Sequence, residues 1–187
     1  MAERVRKELG DPSIVVTSAG LSHAVPFTKE TALGFSEMVA VNLHGTFLVV
    51  QAFLPAMLKR KQGRIVCIAS IAGKVGFKYT AAYCASKHGV LGLVRSLALE
   101  TAERGVTVNA VCPGWTDTAM VDAAAENIAE KSGMTREQAV AALADMSPQK
   151  RLMTPLEVAQ VGLFFCSDEA AGINGQAWNI DGGEVMS

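Results

Sequence analysis

A chain of 187 residues, half of them apolar, has material for one core, and 17 Lys and Arg against 18 Asp and Glu leave a formal charge of only -1. That balance gives no electrostatic reason to expect nucleic acid, and the run Lys59, Arg60, Lys61 reads as a solvated helix end. No run of about 18 consecutive apolar residues and no signal-like stretch is visible, and the four cysteines, Cys67, Cys84, Cys112 and Cys166, lack metal-type pairing. The expectation is a cytoplasmic protein with reduced thiols, no metal and no membrane or nucleic-acid partner.

In chain order, residues 2 to 9 place Val5 and Leu9 at helical spacing and stop at Gly10, which predicts a short helix. After Asp11-Pro12, Ser13 to Thr17 is a β-branched run without alternation, the pattern of a parallel strand buried on both faces. From Lys29 to about Gln62, Phe35, Met38, Val39, Leu43, Phe47, Val50 and Leu54 recur at three- and four-residue steps and predict a long helix bent near Pro55. Arg64 to Ala69 predicts a second strand, Ala81 to about Arg104 a second long helix, and Thr107 to Cys112 a third strand. Residues 119 to 150 are polar and Ala-rich, with a gap at Ser132-Gly133-Met134 and a break at Pro148, and read as a mobile substrate cover. Thr154-Pro155 caps a helix that runs to about Cys166, and Gln176 to Ile180 forms a last strand before Asp181-Gly182-Gly183.

Alternating strands and helices predict an α/β fold, a Rossmann-like doubly wound parallel sheet built through right-handed crossovers in a single domain spanning 1–187. Chemistry in such sheets lies beyond the strand carboxyl ends, here after Thr17, Ala69 and Cys112. Tyr83 and Lys87 stand four apart at the start of a helix and share one face. Alone, that pair is weak evidence, but Ser70 ends the preceding strand and Asn42 lies on the long helix packed beside it.

Together these segments carry a resemblance. Gly63 to Ser70 (GRIVCIAS), Tyr83 to Gly89 (YCASKHG), Val41 to Phe47 (VNLHGTF), Val108 to Gly114 (VNAVCPG) and Gly175 to Gly183 (GQAWNIDGG) resemble the classical short-chain dehydrogenases/reductases in order and spacing. The resemblance covers residues 13 to 183. It implies an NAD(P)-dependent oxidoreductase interconverting a secondary alcohol and a ketone, with catalytic Asn42, Ser70, Tyr83 and Lys87. Within the family the chain is similar to 3-oxoacyl reductases, polyketide-type ketoreductases and 3-hydroxybutyrate dehydrogenases. A 3-oxoacyl or 3-hydroxyacyl substrate is therefore expected, as is a homo-oligomer, dimer or tetramer.

The residue roles have a physical basis. Hydride arriving at a carbonyl carbon leaves an alkoxide that needs a proton donor, for which Tyr83 is the candidate. Bringing a phenol from about 10 to near 7 takes roughly 4 kcal/mol, and an ammonium about 4 Å away supplies about 4 kcal/mol at an effective dielectric of 20. Lys87 is therefore expected to lower the Tyr83 pKa. Ser70 would hold the carbonyl oxygen, and the resemblance gives Asn42 a water that links Lys87 to solvent.

For the cofactor, the resemblance points to Ser18, Ala19 and Gly20 after the first strand, Tyr83 and Lys87, and Pro113, Gly114, Thr116 and Thr118 after the third. Thr116 stands where the family usually has an aliphatic residue, and Thr17-Ser18 where it has two asparagines. The first strands, the glycine-rich loop and the residue that selects NAD or NADP are absent from this chain, so the choice is not readable, and a shortened form of a longer protein is expected. An alternative stays open: a catalytically silent remnant that acts as an oligomer-forming binding subunit. Met120, Val121, Ile128, Met134 and Met146 in the cover either accept an acyl chain or simply pack.

Overall fold

A computed structural model describes residues 1–186. Four parallel strands, β1 (Ile14–Thr17), β2 (Gly63–Ile68), β3 (Val106–Pro113) and β4 (Ala177–Ile180), lie side by side in chain order. The register sets Val15 against Ile65, Ile65 against Val108 and Ala110 against Ala177. The helices are α1 (Ala2–Leu9), α2 (Ala32–Val39), α3 (Gly45–Arg60), α4 (Ala81–Thr101), α5 (Ala119–Ser132), α6 (Arg136–Met146) and α7 (Pro155–Cys166).

Side chains alternate along the central strands and build a core on each face. Val15, Ile65, Cys67, Val108, Ala110 and Cys112 point to one face, where Val50, Phe53 and Met57 of α3 and Val90, Leu91 and Val94 of α4 cover them. Val66 and Val111 point to the other and meet Val158 and Phe165 of α7. The sheet is thus covered on both faces, as the sequence predicts. The steps β1 to β2 and β2 to β3 run through α3 and α4 on the first face, whereas β3 to β4 moves in the same direction through α7 on the second. That third crossover therefore has the opposite hand to the first two, a departure from uniformly right-handed connections.

Two further expectations are corrected. β1 is not buried on both faces: Ile14 is 46% and Val16 50% exposed, because α7 lies over β2 and β3 and does not reach the first strand. The long helix is not interrupted at Pro55, which α3 absorbs. The break falls at Ala40–His44, a π turn in which the Gly45 N–H reaches back to the Ala40 carbonyl. By length and composition, the stretch Ala32–Arg60 is apolar enough to cross a membrane. Here its Val50, Phe53 and Met57 pack onto the sheet, as in a core helix.

Residues 119–146 form a helical hairpin with its own small core of Val121, Ala125, Ala139 and Leu143. Its base is a narrow neck: the Met153 N–H donates to the Trp115 carbonyl and the Asp117 N–H to the Met153 carbonyl. Thr154 and Glu157 make a reciprocal capping box with Pro155 at the first helical position, the start signal predicted for α7.

Candidate active site

β2 ends at Ile68, and Ser70 begins a tight turn, Ile71–Gly73, that returns the chain onto α4. The Ser70 hydroxyl oxygen accepts the Ala72 N–H at 3.1 Å, which fixes its orientation and leaves its own proton to donate. The turn sits directly on the helix. A Cβ at Gly73 would lie 2.8 Å from the Lys87 carbonyl oxygen and 3.1 Å from Leu91 Cδ1, so no side chain fits. Gly73→Ala should therefore lower stability by about 1–3 kcal/mol in urea titration and displace Ser70; unchanged stability would mean that this contact is not tight.

Tyr83 is half-buried in the first turn of α4, with Ser86 and Lys87 buried one turn further on. The predicted group comes together. Lys87 Nζ lies 5.7 Å from the Tyr83 ring centroid, and the Ser70 side chain is close enough to the phenol to favour its ionised form. Lys87 Nζ also donates to the Ile68 carbonyl at 3.0 Å, tying the lysine to the end of β2.

The electrostatics differ from expectation in one respect. Burial pushes the Tyr83 phenol above its usual value of 10, and the nearby Ser70 side chain acts against that rise. Burial outweighs whatever pull the nearby Lys87 exerts on the phenol. The Lys87 ammonium stands beside the ring and is turned toward the Ile68 carbonyl, and burial lowers its own pKa from 10.5 to about 8. The order of the two acids is therefore inverted relative to water: the lysine gives up its proton more readily than the tyrosine.

Asn42 sits inside the π turn, 1% exposed. Its Oδ1 accepts the Leu21 N–H at 2.7 Å, and its Nδ2 faces the Leu21 carbonyl at 2.9 Å and Ser86 Oγ at 3.0 Å. The loop after β1 is thus braced from the helix, a role the sequence reading did not give to Asn42. Gly20 passes close by, for a Cβ there would lie 3.3 Å from Asn42 Oδ1 and 3.7 Å from Lys87 Nζ.

Ser18 and Ala19 are exposed at the end of β1. Pro113 closes β3, and Gly114 packs against Asp181 beyond β4. The Thr116 hydroxyl donates to the Gly114 carbonyl, and that of Thr118 to the Thr116 carbonyl. The hydroxyls are therefore turned to local backbone with their lone pairs free to accept. Thr118 is the N-cap of α5 but its side chain caps nothing, so the first two amides, of Ala119 and Met120, have no side-chain cap, while the Val121 N–H donates to the Thr118 carbonyl. In the hairpin, Val121 and Ile128 pack into its own core, whereas Met120, Met134 and Met146 are exposed. Missed in the sequence were the packing contact of Gly73, the Leu21 clamp and Ser86, of which only Ser86 had a signal, its place three residues after Tyr83 on one helix face.

A family model described as enoyl-(acyl carrier protein) reductase matches residues 1–184. The D-beta-hydroxybutyrate dehydrogenase of Cupriavidus necator is 36% identical over 186 residues, 99% of this chain and 72% of that protein. The 3-oxoacyl-[acyl-carrier-protein] reductase of Escherichia coli is 34% identical over 184 residues, covering 98% and 71%. Among solved structures, an actinorhodin polyketide ketoreductase with NADPH superposes with a TM-score of 0.94 at 36% identity, over 98% of this chain and 71% of that one.

Proposed function

The chain belongs to the short-chain dehydrogenase/reductase family of oxidoreductases, and from that premise we propose that it interconverts a secondary alcohol and a ketone with a nicotinamide dinucleotide. The observation that carries this reading is the meeting of Ser70, Tyr83 and Lys87 at the carboxyl end of β2. Ser70 donates to the carbonyl oxygen, and Tyr83, fully protonated at neutral pH, delivers the proton as negative charge develops there. Lys87 then restores it. Burial, which lowers its pKa to about 8, favours release of the lysine's proton.

The cofactor supplies or accepts the hydride. Residues suited to hold it are Ser18, Ala19 and Gly20, then Pro113, Gly114, Thr116 and Thr118, with Tyr83 and Lys87 between the two loops. The fit rests on the small Gly20, where any side chain would fill space beside Lys87 Nζ. It rests also on the open α5 amides, suited to a phosphate. A 3-oxoacyl or 3-hydroxyacyl substrate is supported by the hydroxybutyrate and 3-oxoacyl names among the relatives, with exposed Met120 at the start of α5 available to an acyl chain.

The test is to mix the chain with NADH or NADPH and a 3-oxoacyl ester and follow nicotinamide absorbance. Reduction should hold through neutral pH and fall as pH passes about 8, where Lys87 loses its proton, whereas alcohol oxidation should rise. Identical pH profiles in the two directions would count against the assignment. A second reading, an oligomer-forming binding subunit, is favoured by Leu48 and Leu99, 50% and 83% exposed on α3 and α4. Oligomers in sedimentation without cofactor turnover would support it.

A further inference from the structure

We propose that Ser86 is a positioning residue, locking the turn of α4 that carries Tyr83 to Asn42 and, through Asn42, to the loop that follows β1. It rests on the reading of Tyr83 as the acid. Ser86 is wholly buried. Its hydroxyl receives the Asn42 amide at 3.0 Å and donates to the Tyr83 carbonyl at 2.8 Å. Because Asn42 Nδ2 can only donate, the Ser86 proton is directed at Tyr83 and nowhere else.

Asn42 in turn grips both backbone groups of Leu21. One polar chain therefore joins three elements: the strand-end loop, the π turn and the first turn of α4. A serine bonding back to the carbonyl three residues earlier acts locally on the helix, and here that carbonyl belongs to Tyr83 itself. The π turn has a matching purpose, since its extra residue sets Asn42 facing both Leu21 and Ser86. Ordinary helix packing does not need this chain. Met38 Sδ also contacts Asn42 Nδ2, at 3.2 Å, but reaches neither Tyr83 nor α4 by a hydrogen bond.

The test needs neither cofactor nor substrate. The chain has two tyrosines, so in a Tyr79→Phe background the ultraviolet band of tyrosinate reports Tyr83 alone. Titration is run on the parent, Ser86→Ala and Met38→Leu, with far-UV circular dichroism to verify the fold at each pH. Ser86→Ala should free the ring to gain water and bring the Tyr83 midpoint down, toward the usual phenol value. Met38→Leu should leave it in place. If Ser86→Ala does not fold, Ser86→Cys, whose thiol is a weak donor and acceptor, is read in the same way. An unmoved midpoint with lowered thermal stability would make Ser86 merely structural and overturn the proposal, as would an equal shift in Met38→Leu. Failure of the acid role itself would instead show as undiminished turnover in Tyr83→Phe, so the two failures are separable.

Discussion

Tyr83→Phe is expected to lower turnover on the order of 10³-fold, the usual contribution of a positioned general acid, while the protein stays folded. The ring remains, so its packing beside Lys87 is kept. What is lost is the one group able to protonate an alkoxide in contact with Ser70. The fold should tolerate that loss, because the Ser70 oxygen keeps the Ala72 N–H as a partner and one lost hydrogen bond costs about 1 kcal/mol. Cofactor affinity measured by thermal shift should change by no more than a few-fold. A drop in kcat and kcat/KM together would mark a group acting in the transition state. Rates matching the parent would remove Tyr83 from the chemistry and leave Ser70 and Lys87 without an acid to serve.

How much of this was legible in the sequence depends on what kind of signal each feature leaves. β2 and β3 were readable because both their faces are buried, so Ile65, Val66, Val108 and Val111 alike had to be apolar. The start of α7 was readable because Thr154 and Pro155 are cap chemistry, to which the structure adds Glu157. The group Ser70, Tyr83 and Lys87 was readable because helical spacing puts two of them on one face and a strand end supplies the third. By contrast, the π turn leaves no periodic trace: an extra residue at Ala40–His44 shifts the face of everything before it, whereas Pro55 is the visible helix breaker in the pattern. The exposure of Ile14 and Val16 was equally hidden, for it depends on where α7 lies and not on β1. The net rise at Tyr83 was hidden because spacing says that two groups meet, not how deeply they are buried. Here the ammonium faces a carbonyl, and desolvation acts on both acids.

Lys87→Met is expected to lose activity and gain stability. Burial lowers the lysine from 10.5 to about 8, so the folded protein holds this charge at a cost. At 1.36 kcal/mol per unit, the difference amounts to about 3 kcal/mol below pH 8. The sign follows from proton uptake. Between about 8 and 10.5 the unfolded chain binds more protons at this site than the folded one, so parent stability rises with pH across that window. Methionine has no charge to bury and nearly the same reach, though it leaves the Ile68 carbonyl without its donor, a loss of about 1–3 kcal/mol. Urea unfolding should therefore show the variant more stable by up to about 2 kcal/mol at pH 7, with the advantage gone by pH 10.5. Turnover should fall at least 10²-fold, since the phenolate loses its source of protons. A variant less stable than the parent at pH 7, or one that keeps the parent's rise between pH 8 and 10.5, would show that Lys87 is not held against its own solvation. A strained charge retained beside a phenol is what a protein keeps for proton transfer, because packing alone favours an apolar side chain at that position.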